Sequence, residues 1–72
     1  MAGKKYWMGI PPTHCQLCQY EFRTHFIDGK TVMGPWGFLC EDCHEEYGHG
    51  FGLGKGQRYH KQEDGRWLKI TG

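Results

Sequence analysis

Four cysteines in two pairs, Cys15-Gln-Leu-Cys18 and Cys40-Glu-Asp-Cys43, carry the most definite chemistry in this sequence. A C-x-x-C turn points two thiols to one side, and two such turns supply the four thiolates of a tetrahedral zinc site. The 21 residues between Cys18 and Cys40 leave room for a hairpin that brings the pairs together. Four sulfurs close the coordination shell, so the ion implied is one structural Zn2+ with no open position for a reacting water. His14 and His44 flank the pairs. Each is a candidate to replace one cysteine, and His44 is also placed to approach the thiolates from outside.

Three other uses of these cysteines weigh less. Cys40-Glu-Asp-Cys43-His44 fits the haem-attachment pattern C-x-x-C-H, which leaves Cys15 and Cys18 without a role. A redox C-x-x-C belongs in a thioredoxin-like unit, for which 72 residues are too few. Two disulfides would require an oxidising compartment. The opening residues, Met1-Ala-Gly-Lys-Lys-Tyr-Trp, hold no apolar run of signal-peptide length, and no later run is long enough to cross a membrane. The expectation is a cytoplasmic protein, where thiols bind metal.

A chain this short needs such a staple. Cores of this size supply only about 3–5 kcal/mol. Leu, Ile and Val together number eight, and the apolar mass lies in eleven aromatics, among them Trp7, Trp36 and Trp67. Twelve glycines add backbone entropy that folding must overcome.

The elements that must position the cysteines follow from local signals. Residues 1–14 read as an N-terminal arm that ends on Pro11-Pro12 and the approach to Cys15, with Tyr6 and Trp7 expected to pack on the core. Residues 15–72 read as one zinc-finger domain. Its first pair forms a knuckle. Alternation over Tyr20–Phe26 and the turn signal Asp28-Gly29 predict a hairpin continuing through Lys30-Thr-Val-Met. Glu41 and Asp42 after Cys40, with Gly48 after Tyr47, predict a helix of about two turns whose first turn the metal holds. Gly48–Gly56 has glycine at every second position, and Gln57–Ile70 reads as a second hairpin around Asp64-Gly65. The fold class expected is a small α+β zinc-stapled domain: knuckle, β-hairpin, short helix, then a C-terminal β-hairpin.

Knuckle, hairpin and a second pair opening a helix resemble the treble-clef zinc finger; a zinc ribbon would set both pairs in knuckles. The stretches Phe26-Ile-Asp-Gly-Lys-Thr, Gly34-Pro-Trp-Gly, Leu39-Cys-Glu-Asp-Cys-His and Gly52-Leu-Gly-Lys-Gly-Gln-Arg-Tyr resemble small proteins of bacteriophage and prophage genomes. That resemblance covers most of residues 15–59, implies a bacterial host cytoplasm and brings no activity with it. Treble clefs include HNH nucleases, and on this chain such a site would fall to His25 and Asp28 on the hairpin and to His44 or His49 near the helix. His25 lacks an adjacent acidic partner there, so an enzyme is not expected.

Charge distribution points to a surface. The formal charge is +1, and loading four thiolates with Zn2+ takes it to −1. Residues 15–47 are acidic, with Arg23 and Lys30 against six carboxylates, whereas residues 48–72 set Lys55, Arg58, Lys61, Arg66 and Lys69 against Glu63 and Asp64. Cations interleaved with Phe51, Tyr59 and Trp67 suit phosphate contact and base stacking. The binding residues expected are Lys55, Arg58, Tyr59, Lys61 and Arg66, with nucleic acid as the first partner class. The alternative is a host or phage protein held by the arm or the glycine stretch. No membrane and no small-molecule substrate is implied. The glycine stretch is neither a P-loop, since Lys55 is followed by Gly56, nor a dinucleotide fingerprint.

Overall fold

A computed structural model describes residues 3–72. Five elements follow one another: β1 (His25–Lys30), β2 (Trp36–Leu39), α1 (Glu41–Tyr47), β3 (Gly56–Lys61) and β4 (Trp67–Thr71). The strands form one antiparallel sheet in the order β2-β1-β3-β4. The expected α+β class, with a metal-sized cysteine cluster at one end, is what the chain adopts.

Strand alternation gives the sheet two different faces. Phe26 and Tyr59 are directly opposite each other, with rings stacked at 5.0 Å between centroids. Phe38 and Trp67 add edge-to-face contacts to Phe26 on the same side. Trp7 closes this aromatic layer, 5.4 Å from each of Phe26, Phe38 and Tyr59. The opposite face carries Ile27 and Leu39, both fully buried under α1 and the cysteines. Large aromatic areas thus substitute for the missing aliphatic core.

The arm packs as its aromatic pair suggests. Lys69 N–H donates to Lys5 O and Trp7 N–H to Trp67 O, each at 2.8 Å, so the arm pairs along the outer edge of β4. Tyr6 lies under the Arg66 guanidinium at 4.1 Å.

One expected turn is displaced. Asp28-Gly29 is not a hairpin turn; both residues sit inside β1. The reason is the close approach of α1: a side chain at Gly29 would put its Cβ 3.3 Å from His44 Cδ2. Glycine is there for proximity, and the chain reverses over 31–35 instead. Thr31 N–H and Oγ1–H both donate to Pro35 O, and Gly34 takes φ +111°. The strand also starts later than the alternation suggests, because Phe22 N–H donates to Thr13 O and His14 bridges Glu21 to wrap the knuckle. The helix and the second hairpin lie where expected, with Asp64-Gly65 in the turn and Gly65 at φ +90°.

Candidate metal centre and cationic surface

Each cysteine pair is positioned by different local physics. In the first, Gln19 N–H donates to Cys15 O and Cys15 N–H to Tyr20 O, closing a tight loop. Gln19 takes φ +67°, the only non-glycine among the described residues to do so. The loop is fixed to the sheet edge by two bonds: Gln16 N–H donates to Phe38 O, and Phe38 N–H to Gln16 Oε1. In the second pair, Cys40 is the N-cap of α1, its sulfur accepting from Cys43 N–H at 3.5 Å. A helix of 7 residues is too short to persist alone.

All four ligand atoms lie within 4.8 Å of one another, and Cys18 Sγ stands 3.6 Å from Cys40 Sγ. A tetrahedron with Zn–S bonds of about 2.3 Å has edges of about 3.8 Å. The separation fits sulfurs arranged around an ion and is far beyond a disulfide bond of about 2.05 Å. Cys15, Cys40 and Cys43 are buried; Cys18 is exposed. Burial alone would raise Cys15, but the amides of Cys18, Cys40 and Leu17 outweigh it, and its pKa is lowered to about 6. Burial keeps Cys40 and Cys43 above the ordinary thiol value, reinforced by the crowding of neighbouring sulfurs. Four sulfurs within reach of one point are a donor set suited to a soft divalent ion such as zinc.

Neither histidine joins this set. His14 is exposed, its Nδ1 beside Thr13 Oγ1 at 2.9 Å. His44 is buried and turned away from the sulfurs: its Nε2 donates to Gly50 O at 2.8 Å, and its ring packs on Phe51. It therefore anchors the glycine segment and does not approach the thiolates. That segment is an ordered loop. Gly50, Gly52 and Gly54 all take positive φ, and Lys30 N–H donates to Lys55 O.

The five expected binding residues are not brought together. Tyr59 is half-buried in the aromatic layer, its ring occupied by Phe26 and Trp7. Arg58 lies on the other face, over the Phe51 ring at 4.5 Å. Its Nη2 donates to Glu41 Oε2 at 2.7 Å, while Nε meets Oε1 at 2.7 Å without hydrogen-bond alignment. Arg66 is paired to Asp64 at 2.8 Å on the surface. Lys61 is exposed near Trp67, and Lys55 is exposed on the glycine loop. Main-chain pairing of the arm sets Lys5 beside Lys69.

His25 and Asp28, the two hairpin positions an HNH-like site would use, face opposite sides of β1. His25 lies against His60, with ring centroids 4.5 Å apart, and beside Thr24 Oγ1; burial and His60 lower its pKa. Asp28 lies on the Tyr59 side, its carboxyl raised by burial.

Among the described residues no helix is long and apolar enough to cross a membrane. Comparison with protein-family models, with curated proteins and with solved structures finds no match to this chain.

Proposed function

We propose that this chain is a treble-clef-like zinc module without catalytic activity, acting as a nucleic-acid-binding protein of a phage or prophage setting. The knuckle at Cys15–Cys18, the β1–β2 hairpin and the helix opening at Cys40 support the treble-clef reading. The observation that carries the binding reading is charge segregation across the sheet. The acidic helix, with Glu41, Asp42, Glu45 and Glu46, packs on β1 and β2 at one end. The β3–β4 hairpin and the arm place Lys61, Lys69, Lys4 and Lys5 at the other, where Arg66 is paired to Asp64 and Glu63 lies in the turn. A surface with one basic end and one acidic end orients a polyanion before contact.

The test is binding of fluorescent single- and double-stranded oligonucleotides at several salt concentrations, with Lys61→Ala plus Arg66→Ala as the variant. Affinity that falls as salt rises and weakens in the variant supports the reading. Absence of binding, or binding indifferent to salt, sinks it. Two exposed apolar side chains favour a second reading, a protein partner: Leu53 at the loop tip and Trp36 on the edge strand. Recovery of one stoichiometric protein from nuclease-treated bacterial lysate, lost on Leu53→Asp, would favour that reading instead.

A further inference from the structure

We infer that the groove between the arm and β4 is a phosphate site, built by Lys4, Lys5 and Lys69, through which the protein grips a nucleic-acid backbone. The inference rests on the binding reading above and moves its main contact from the C-terminal third to the arm. Main-chain pairing forces the arrangement. With Lys69 N–H bonded to Lys5 O and Tyr6 bridged to Leu68, Lys5 lies opposite Lys69. Like charges directly opposite one another on paired strands are destabilising. Here the pair is imposed by Trp7, whose burial in the aromatic layer fixes the register of the arm.

No ion pair relieves the repulsion. Among the described residues the ion pairs are Arg58–Glu41 and Arg66–Asp64, and neither involves these lysines. The groove is about 320 Å³ and is lined by Lys4, Lys5 and Lys69 with Gly3 and residues 68 and 70–72, none of which has an acidic side chain. Three lysines along one groove that no acidic side chain lines match an anion carrying several negative charges in a row, which a phosphodiester backbone is. Arg66, two residues before Leu68, lies over Tyr6 at 4.1 Å and is paired to Asp64, so it adds no free charge to the groove. Lysine acts as a point charge and reads no base, so the contact is to the backbone and indifferent to sequence.

The metal-loaded protein and Lys5→Gln/Lys69→Gln are titrated with a fluorescent single-stranded oligothymidine across a salt series. Arg23→Gln/Lys30→Gln serves as the charge-matched control away from the groove. In parallel, amide NMR shifts are followed with the oligonucleotide and with inorganic pyrophosphate. The expected result is at least a tenfold weaker complex at low salt for the groove variant, while the control stays within threefold. The log–log salt slope should be shallower by about 1.4, two contacts at about 0.7 each. Shifts at Lys5, Lys69 and Ile70 should appear with both probes and vanish in the groove variant. Oligonucleotide binding unchanged in the groove variant overturns the groove and leaves the binding reading standing. If the oligonucleotide does not bind but pyrophosphate shifts these amides, the groove stands and nucleic acid falls as its ligand. No shift with either probe overturns both. Retained metal stoichiometry and amide dispersion in the variants exclude misfolding as the cause.

Discussion

His44 Nε2 donates a hydrogen bond across 2.8 Å to the carbonyl oxygen of Gly50, tying the last turn of the helix to the glycine loop. A carbonyl only accepts, so the proton sits on Nε2 in this state. The ring is cradled by glycines: a Cβ at Gly48 would lie 2.5 Å from both His44 Cδ2 and His44 O, and one at Gly56 would lie 3.0 Å from Gly50 O. Replacing His44 with Ala removes a buried ring and its bond, with an expected cost of about 2–4 kcal/mol. Gly48→Ala forces the ring or the helix end to move, costing about 1–3 kcal/mol. Gly9→Ala meets no atom within 4 Å but holds φ +82°, so its cost is backbone strain alone. Chemical denaturation measures all three. Amide exchange at Gly52 and Gly56 should accelerate in His44→Ala before global unfolding, with metal stoichiometry retained.

Gln19 carries a strain that glycine would not. Its φ of +67° turns the chain out of the knuckle. A left-handed conformation costs an L-residue about 1–2 kcal/mol, of which the greater flexibility of unfolded glycine returns part. Gln19→Gly should therefore be neutral or stabilise the metal-loaded fold by up to about 1 kcal/mol, read from the denaturation midpoint. A loss of stability there would mean that the Gln19 side chain makes a contact of its own.

Asp28 predicts a pH effect of defined sign. Its carboxyl is raised by burial beside the aromatic layer, so the folded state holds this proton more tightly than the unfolded state. Its contribution favours folding below the ordinary carboxylate pKa of about 3.9 and is lost as pH rises through the raised value. Asp28→Asn removes the cost of the buried charge. The variant should melt above the wild type at neutral pH, and the difference should shrink as pH falls through the carboxylate range. Melting curves of the two proteins at several pH values check this.

Metal retention should rise with pH, because thiols must give up their protons to bind the ion. The backbone amides around Cys15 favour its thiolate, whereas burial raises Cys40 and Cys43 and favours their protonated forms. Each proton displaced on binding makes affinity rise about tenfold per pH unit. Cys40 and Cys43 alone contribute about a hundredfold per unit through the neutral range. Competition against a chromophoric chelator between pH 6 and 8 measures the slope. A flat profile would mean that the thiols enter the site already ionised.

The features legible in the sequence were those fixed by local chemistry. Cysteine spacing, the acidic start and glycine stop of α1, and Asp64-Gly65 each depend on neighbours along the chain. What was hidden depends on contacts across it. Asp28-Gly29 has the composition of a turn, yet Gly29 serves the packing of His44, 15 residues later. Tyr59 alternates with cations as a stacking residue would, but the sheet turns it onto Phe26. Lys4 and Lys5 gain meaning only through Trp7, whose burial sets the arm beside Lys69. Strand register and the destination of an aromatic ring are tertiary facts, and they decide which surface charges share a face.

Four thiolates around one ion are expected to hold this fold, and substitution with cobalt(II) tests that most directly. Cobalt added to reduced, metal-free protein should produce the intense visible bands of a tetrahedral four-thiolate site, saturating at one equivalent. Zinc should then displace them, and amide dispersion should appear in step with the absorbance because metal binding and folding are coupled. Cys18→Ser should weaken the bands and shift them toward a three-sulfur site. A metal-free chain with the same dispersed amide spectrum, or cobalt bands that never approach one equivalent, would contradict the account.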